Sequence, residues 1–352
     1  MAEPNLVGAD LRTRIDAVLR EFVECEAELL EQVNPELKPV GAQLRAAVAD
    51  GKRLRAMFCY WGWRATGQGE SDAAVRAAAS MELVHAAALV HDDLIDDSAI
   101  RRGSPSAHVA LRDAVPEGRR DRDVAARALA MLVGDLLMAW AGQLFASCGL
   151  PGAYVSRARP LWSTLARELI AGECLEVLRT GTDPPADDAV EVARFKTAKY
   201  TVEHPLHLGG RLGGAGDALL RTFTAYGVPL GEAFQLRDDQ LAVFGDSTLT
   251  GKSNLDDVAG AKPTALMACA LDLADADERA ELRRLLGRDD LGQDDLDRLR
   301  AILTATGARD RVEAMIGGRA RAARRALAWT SMPRQASAAL HELVGAVVDR
   351  ES

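Results

Sequence analysis

Two short stretches of the chain concentrate carboxylates at spacings that suit a divalent cation. In the run His91-Asp92-Asp93-Leu94-Ile95-Asp96, a helix puts Asp92 and Asp96 one turn apart on one face, with Asp93 beside them. Like charges at that spacing repel, so the cluster asks for a compensating cation. All-oxygen ligation with no thiolate nearby suits Mg²⁺, which keeps waters and bridges to a substrate phosphate. In the second stretch Gln235, Asp238 and Asp239 share one helical face (i, i+3, i+4) at the end of another apolar helix. Cations accompany both stretches. Arg101 and Arg102 follow the first, Lys52, Arg53 and Arg55 precede it, and Lys196, Lys252 and Lys262 flank the second. Guanidinium forks and lysines near a metal make a polyphosphate clamp. His85 stands two turns before Asp92 on the same face. A basic run alone is an ordinary helix start, and a lone histidine an ordinary core residue. Their company with two carboxylate clusters is what points to polyphosphate.

The elements that must position these residues are helices. Apolar residues recur with 3.6-residue spacing over roughly 9–33, 38–65, 71–98, 121–148, 152–178, 187–213, 216–244 and 263–286, with shorter helices to the C-terminus. Breaks carry turn residues, as at Thr66–Gly69, Gly149–Gly152 and Gly181–Pro185. No segment alternates with period two for long enough to form a substantial strand. Aromatic residues are only 5% of the 352, while Ala, Leu, Arg, Glu and Asp dominate, an alphabet of helix formers. The expectation is one all-α domain over 1–352, a bundle of antiparallel helices around a central apolar cavity, with its motifs in about 40–270. The two aspartate clusters would face each other across its mouth, and the apolar walls below would hold something greasy.

Composition narrows the function. A formal charge of −9 argues against general nucleic-acid binding, which needs a basic footprint. The five scattered cysteines lack a C-x-x-C and read as reduced thiols of a cytoplasmic protein. The first residues lack the apolar core of a signal peptide. Residues 129–150 contain no Lys or Arg, but Asp135 near the middle would be costly in a membrane. They are expected to form a helix buried in the core, with no transmembrane segment.

Taken together in this order, the motifs resemble those of the trans-isoprenyl diphosphate synthases, especially actinobacterial geranylgeranyl diphosphate synthases, through 51–63, 196–209 and 235–252. The resemblance implies Mg²⁺-dependent head-to-tail condensation of isopentenyl diphosphate with an allylic diphosphate, by a homodimer, with three ions when substrate is bound. Matched position by position, Asp92, Asp93 and Asp96 stand at the first metal motif, and Asp238 and Asp239 at the second. Lys52, Arg53, His85 and Arg102 match the isopentenyl diphosphate clamp. Arg101, Lys196, Lys252 and Lys262 match groups on the allylic diphosphate, and Thr197 and Gln235 positions beside the reacting carbon. The sequence departs from the family pattern at Ala242, Gln240, Ala56, Glu173 and His204, where an acid or glycine, an aliphatic residue, Pro, Gln and Arg are common.

Product length should follow from whatever closes the apolar tunnel below Asp92. Ala87 and Ala88, one turn before it, are too small to do so. Val84 and Met81 lie about 12 and 16 Å below at 1.5 Å rise per residue. A twenty-carbon product, geranylgeranyl diphosphate, is therefore expected, with farnesyl or longer products as alternatives. Ala87 and Ala88 could instead merely permit tight helix packing. Two other functions fit part of the pattern: a class I terpene cyclase, which needs no second diphosphate clamp, and a non-catalytic partner subunit.

Overall fold

The computed structural model describes residues 9–118, 121–245, 259–288, 290–328 and 330–349. The chain packs as two compact units, 1–158 with 208–214, and 159–207 with 215–352.

The first unit holds α1 (Ala9–Val33), α2 (Lys38–Ala49), α3 (Leu54–Ala65), α4 (Asp72–Ile95), α5 (Ala107–Ala110) and α6 (Arg122–Ala146). Helix α4 is its spine. Ser71 caps the N-terminus by accepting from Ala74 N, and an almost unbroken run from Ala74 to Ala87 is buried. It packs along α6 on one side and α3 on the other. A small residue permits close α4–α6 contact at Gly134, where a Cβ would fall 2.2 Å from His91 Nε2. The expected helix over 38–65 is two helices. Asp50–Arg53 break it, with Gly51 at φ 152° and Arg53 left-handed at φ 54°, ψ 32°. Residues 100–105 form a two-residue hairpin in which Arg101 pairs with Ser104. Its turn residues Arg102 and Gly103 both have positive φ (52° and 75°), as a type I′ turn requires.

Helix α6 corrects one expectation. By length and composition α4 and α6 are each apolar enough to cross a membrane, yet only 39% of the apolar window in α6 is buried, against 72% in α4. One face of α6 packs inward through Val133, Leu137, Trp140 and Leu144, while Val124, Met131 and Leu132 are exposed. An apolar helix is buried all round only where it has neighbours on every side.

The second unit contains most of α7 (Gly152–Arg179), α8 (Ala186–Ala193), a π-helix (Arg194–Glu203), the start of α9 (His204–Gly213) and α10 (Asp217–Phe244). After them come α11 (Ala265–Leu273), α12 (Ala276–Leu285), α13 (Gln293–Ala305), α14 (Ala308–Leu327) and α15 (Arg334–Val348). Helix α10 is its spine, packed against α14 and the π-helix. The expected helix over 187–213 is three segments, and that over 263–286 is two. Among the described residues no strand beyond the hairpin occurs, and the all-α class holds.

Candidate active site

In the first unit Asp92, Asp93 and Asp96 occupy the C-terminal turn of α4. Asp96 is its C-cap, donating its backbone N–H to Asp92 O at 2.9 Å, and Asp97 ends the helix in the left-handed region (φ 53°). A carboxylate oxygen of Asp92 and one of Asp96 come within 4.8 Å of each other, a spacing one cation can bridge. Arg101 ties Asp92 to Asp93. Its Nε donates to Asp93 Oδ1 at 2.8 Å, and its Nη2 donates to Asp92 Oδ2 at 3.1 Å and to Asp93 Oδ1 as well. Burial opposes the Arg101 charge, but its bonds to Asp93 and Asp92 outweigh burial and raise its pKa. The neighbouring Asp97 has a separate job, accepting from Arg127 beside His108.

The basic groups that precede this motif gather around its hairpin. Arg53, buried, is the N-cap residue of α3, and Arg102 Nη1 donates to Asp50 O. Burial, then the charges of Arg53 and Arg101, push Arg102 below its ordinary value. His85 is pushed well down, first by burial and then by Arg55, Arg102, Arg101 and Arg53. Its imidazole is neutral at pH 7 and can donate one N–H to an anion. Lys52 is exposed. Arg55, counted with these cations in the sequence, is buried beside His85. Glu82, given no role in the sequence, accepts from Ala56 N at 2.9 Å. The common Pro at position 56 has no N–H to make that bond.

The second unit positions Lys196 and Thr197 on the π-helix, a geometry found mostly as single-turn bulges at functional sites. Gly172 of α7 lets the two backbones meet there: a Cβ at 172 would fall 2.2 Å from Lys196 N. Lys196 Nζ lies 3.2 Å from Glu173 and also bonds Glu176, which has Lys262 Nζ at 3.9 Å. Both carboxylates went unassigned in the sequence. The departure to Glu173 therefore puts a charge directly on Lys196. Thr197, buried, donates through Oγ1 to Gln235 Oε1 at 2.7 Å. Gln235 Nε2 donates to Asp239 Oδ1 at 2.9 Å, and Asp239 Oδ2 accepts from Ala265 N at 3.3 Å. The chain thus runs from the hydroxyl at Thr197 to the N-terminus of α11, where a carboxylate is favoured. Asp238 is half-buried beside it. Lys252 lies outside the described residues.

Other departures have structural reasons. Gln240 is buried and joins α10 to α14, donating to Arg309 O at 3.0 Å and accepting from Arg237 at 2.9 Å. His204 Nε2 lies 2.8 Å from Glu168, which also takes Lys199 Nζ at 2.8 Å. Nothing in the structure explains Ala242. Of the chain-length residues, Met81, Val84 and Ala87 are fully buried, whereas Ala88 is half-buried.

Residues 38–303 match the polyprenyl synthetase family model. The chain is 33% identical over 278 residues to a geranylfarnesyl diphosphate synthase of Aeropyrum pernix, covering 78% of this chain and 81% of that one. It is 29% identical to a geranylgeranyl diphosphate synthase of Saccharolobus solfataricus, covering 85% and 83%. Among solved structures, the geranylgeranyl pyrophosphate synthase of Corynebacterium glutamicum, complexed with isoprenyl diphosphate and magnesium, superposes with a TM-score of 0.91. It shares 30% identity with this chain and covers 97% of it, the match spanning 98% of the other.

Proposed function

The chain belongs to the polyprenyl synthetase family, and we propose that this prenyltransferase condenses isopentenyl diphosphate head to tail with an allylic diphosphate to give geranylgeranyl diphosphate. The observation that carries the substrate reading is the gathering of arginines at the turn before α3 and the hairpin: Asp50 O accepts from both Arg53 and Arg102, and Arg102 and His85, lowered first by burial, are lowered further by repulsion from the arginines around them, Arg55 foremost for His85. A diphosphate relieves that repulsion. It also gives two phosphate-binding sets work to do, where a cyclase needs one.

The aspartates fit magnesium by their chemistry: oxygen donors only, Asp92 and Asp96 one helical turn apart and Asp238 next to Asp239, with basic groups in the same stretches of chain for the phosphates. Asp92, Asp93, Asp96, Asp238 and Asp239 are the ligands in this reading, for three ions with substrate bound. Magnesium, when bound, stabilises the charge that builds on the departing diphosphate. Arg101, Lys196, Lys252 and Lys262 hold that diphosphate, and Lys52, Arg53, His85 and Arg102 hold isopentenyl diphosphate. The allylic C–O bond breaks with its electron pair leaving on the diphosphate. The Thr197 hydroxyl and the Gln235 amide oxygen stabilise the allylic cation. The double bond of isopentenyl diphosphate attacks that cation, and a proton then passes to the departed diphosphate. No Ser, Cys or His nucleophile is required, and water must be kept out because it would capture the cation.

The small side chains at 87 and 88 support the twenty-carbon product, as do the similar proteins named for it. The geranylfarnesyl synthase among the relatives marks a longer chain as the competing outcome. The two units act as one catalytic domain, and the protein works as a cytoplasmic homodimer, for which the exposed Val124, Met131 and Leu132 of α6 offer an apolar face. Mass analysis of products from isopentenyl diphosphate with dimethylallyl, geranyl and farnesyl diphosphates tests the reading, with a twenty-carbon diphosphate expected. A cyclic hydrocarbon formed without isopentenyl diphosphate would instead favour a cyclase, and no product from both substrates with Mg²⁺ a non-catalytic subunit.

A further inference from the structure

Glycines on two helices grip the π-helix. A Cβ on Gly172 of α7 would fall 2.2 Å from Lys196 N, one on Gly231 of α10 2.4 Å from Ala198 Cα, and one on Gly227 of α10 2.9 Å from Glu203 Cα. These glycines allow close approach, but a glycine offers its neighbour no directional side-chain bond and so selects no rotation of the helix about its axis. Rotation matters here, because bonding from i to i+5 sets each side chain at a different angle from the i to i+4 pattern of an α-helix. Bonds from α10 supply the direction. One joins Thr197 to Gln235 at 2.7 Å. Another starts at the first residue of the π-helix, where Arg194 Nε donates to Glu232 Oε1 at 2.6 Å. Glu232 is 5% exposed, and its other oxygen accepts from Arg319 Nε of α14 at 2.7 Å.

A buried carboxylate needs a cation, and Glu232 has two where one would balance its charge. The two arginines differ in exposure and in what they join. The Arg319 side chain is 23% exposed and that of Arg194 44%, so solvent screens Arg319 less and it is the stronger counter-charge. Arg319 ties Glu232 to α14, which carries none of the candidate site residues. Arg194 ties Glu232 to the turn that carries Thr197. From this geometry we infer that Glu232 is a positioning residue for the condensation: through Arg194 it fixes the start of the π-helix, and so the angle at which the Thr197 hydroxyl is presented, without touching substrate itself. The inference rests on the reading of Thr197 as the hydroxyl beside the reacting carbon. A small misplacement at a reacting centre is expensive in rate. Lys196 is held separately, by Glu173 and Glu176 of α7.

Removing the two partners of Glu232 one at a time in the full-length enzyme tests this. Arg194→Gln should lower the single-turnover rate of condensation about tenfold, the scale of one charge-assisted hydrogen bond. Both KM values should stay within about twofold, and Arg194→Lys should recover part of the rate. Arg319→Gln takes an equal charge from the same carboxylate. It should lower Tm at least as much as Arg194→Gln does, yet leave the rate within about twofold. The double variant Arg194→Gln/Thr197→Val should match Thr197→Val alone, because Arg194 acts through Thr197. Equal losses of rate in Arg194→Gln and Arg319→Gln overturn the inference, since a carboxylate that only stabilises the fold would give them. So does an unchanged rate in Arg194→Gln, or additive losses in the double variant. Should Thr197→Val itself leave the rate unchanged, the reading of Thr197 falls and takes the inference with it.

Discussion

Thr197 Oγ1 donates its proton to Gln235 Oε1 at 2.7 Å. The bond fixes the direction of the hydroxyl, so its lone pairs point away from Gln235, and it ties the π-helix to α10. A neutral oxygen held this way can stabilise a nearby cation without becoming a nucleophile or a base. Thr197→Val keeps the shape and removes the oxygen. It should lower kcat on the order of a hundredfold, as losing one preorganised polar group does, with both KM values little changed. Thr197→Ser should retain most activity. Single-turnover measurements check this, and an unchanged chemical step in Thr197→Val would remove the hydroxyl from the mechanism.

Gly172 predicts a different kind of failure. A Cβ there would lie 2.2 Å from Lys196 N and 2.6 Å from Lys196 Cα and Phe195 C, all backbone atoms that cannot rotate aside. Gly172→Ala should cost about 1–3 kcal/mol of stability, as overpacking does. Because the displaced segment carries Lys196, KM for the allylic diphosphate should rise more than KM for isopentenyl diphosphate. Denaturant unfolding and two-substrate kinetics read both effects.

The parts legible in the sequence are those with local signals. The period of α1 and the spacing of Asp92, Asp93 and Asp96 needed no distant partner, and α1 runs over 9–33 as expected. The break at 50–53 was hidden because both flanking helices keep an apolar period, so 38–65 reads as one. The π-helix was hidden because ten residues distinguish its period from 3.6 too weakly. Glu176 and Asp16 lie on helices 20 residues from Lys196 and 37 from Arg53, and only folding brings them to their cations. The exposed face of α6 carries the same kind of apolar residue as a buried one, and sequence cannot say which face has a neighbour.

Ala242 sits one helical turn after Asp238 and is half-buried. A carboxylate there would add an oxygen donor at i+4. Ala242→Asp should lower the Mg²⁺ concentration for half-maximal activity, by roughly threefold or more given the added ligand charge. Without metal the variant should be slightly less stable than the parent, because like charges at i+4 repel. Mg²⁺ titrations of activity and melting in EDTA check the two signs together.

His204 gives a pH dependence. Burial lowers its pKa, against the opposing pull of Glu203 and Glu168, with Lys199 also facing it. Its folded pKa lies below that of the unfolded chain, so the unfolded chain takes up the proton first. The stabilising contribution is therefore complete above the ordinary histidine range and is lost as pH falls through it. Glu168, whose bonds to Lys199 and His204 overcome burial to lower its pKa, loses its contribution only in the carboxylate range below. Tm should fall between pH 7.5 and 5.5, and His204→Gln should flatten that slope while leaving the decline at lower pH. Buried His85 titrates in the same sense, so the slope should shrink rather than vanish.

Ala87 and Ala88 separate the two explanations of the small residues before the first aspartate motif. Ala87 is fully buried on α4, whereas Ala88 is half-buried. A large side chain at 87 meets neighbours on every side, and Ala87→Phe should destabilise by about 1–3 kcal/mol or more through overpacking. At 88 there is room, so Ala88→Phe should keep the fold and put a ring about 6 Å below Asp92, one helical turn. If the growing chain passes along this face of α4, that ring stops it early and the main product shifts from twenty carbons to fifteen or fewer. Chain-length analysis of Ala88→Phe, with its Tm close to that of the parent, is the deciding measurement. An unchanged product length in a stable Ala88→Phe protein would mean that the alanines serve helix packing and that another wall sets the length.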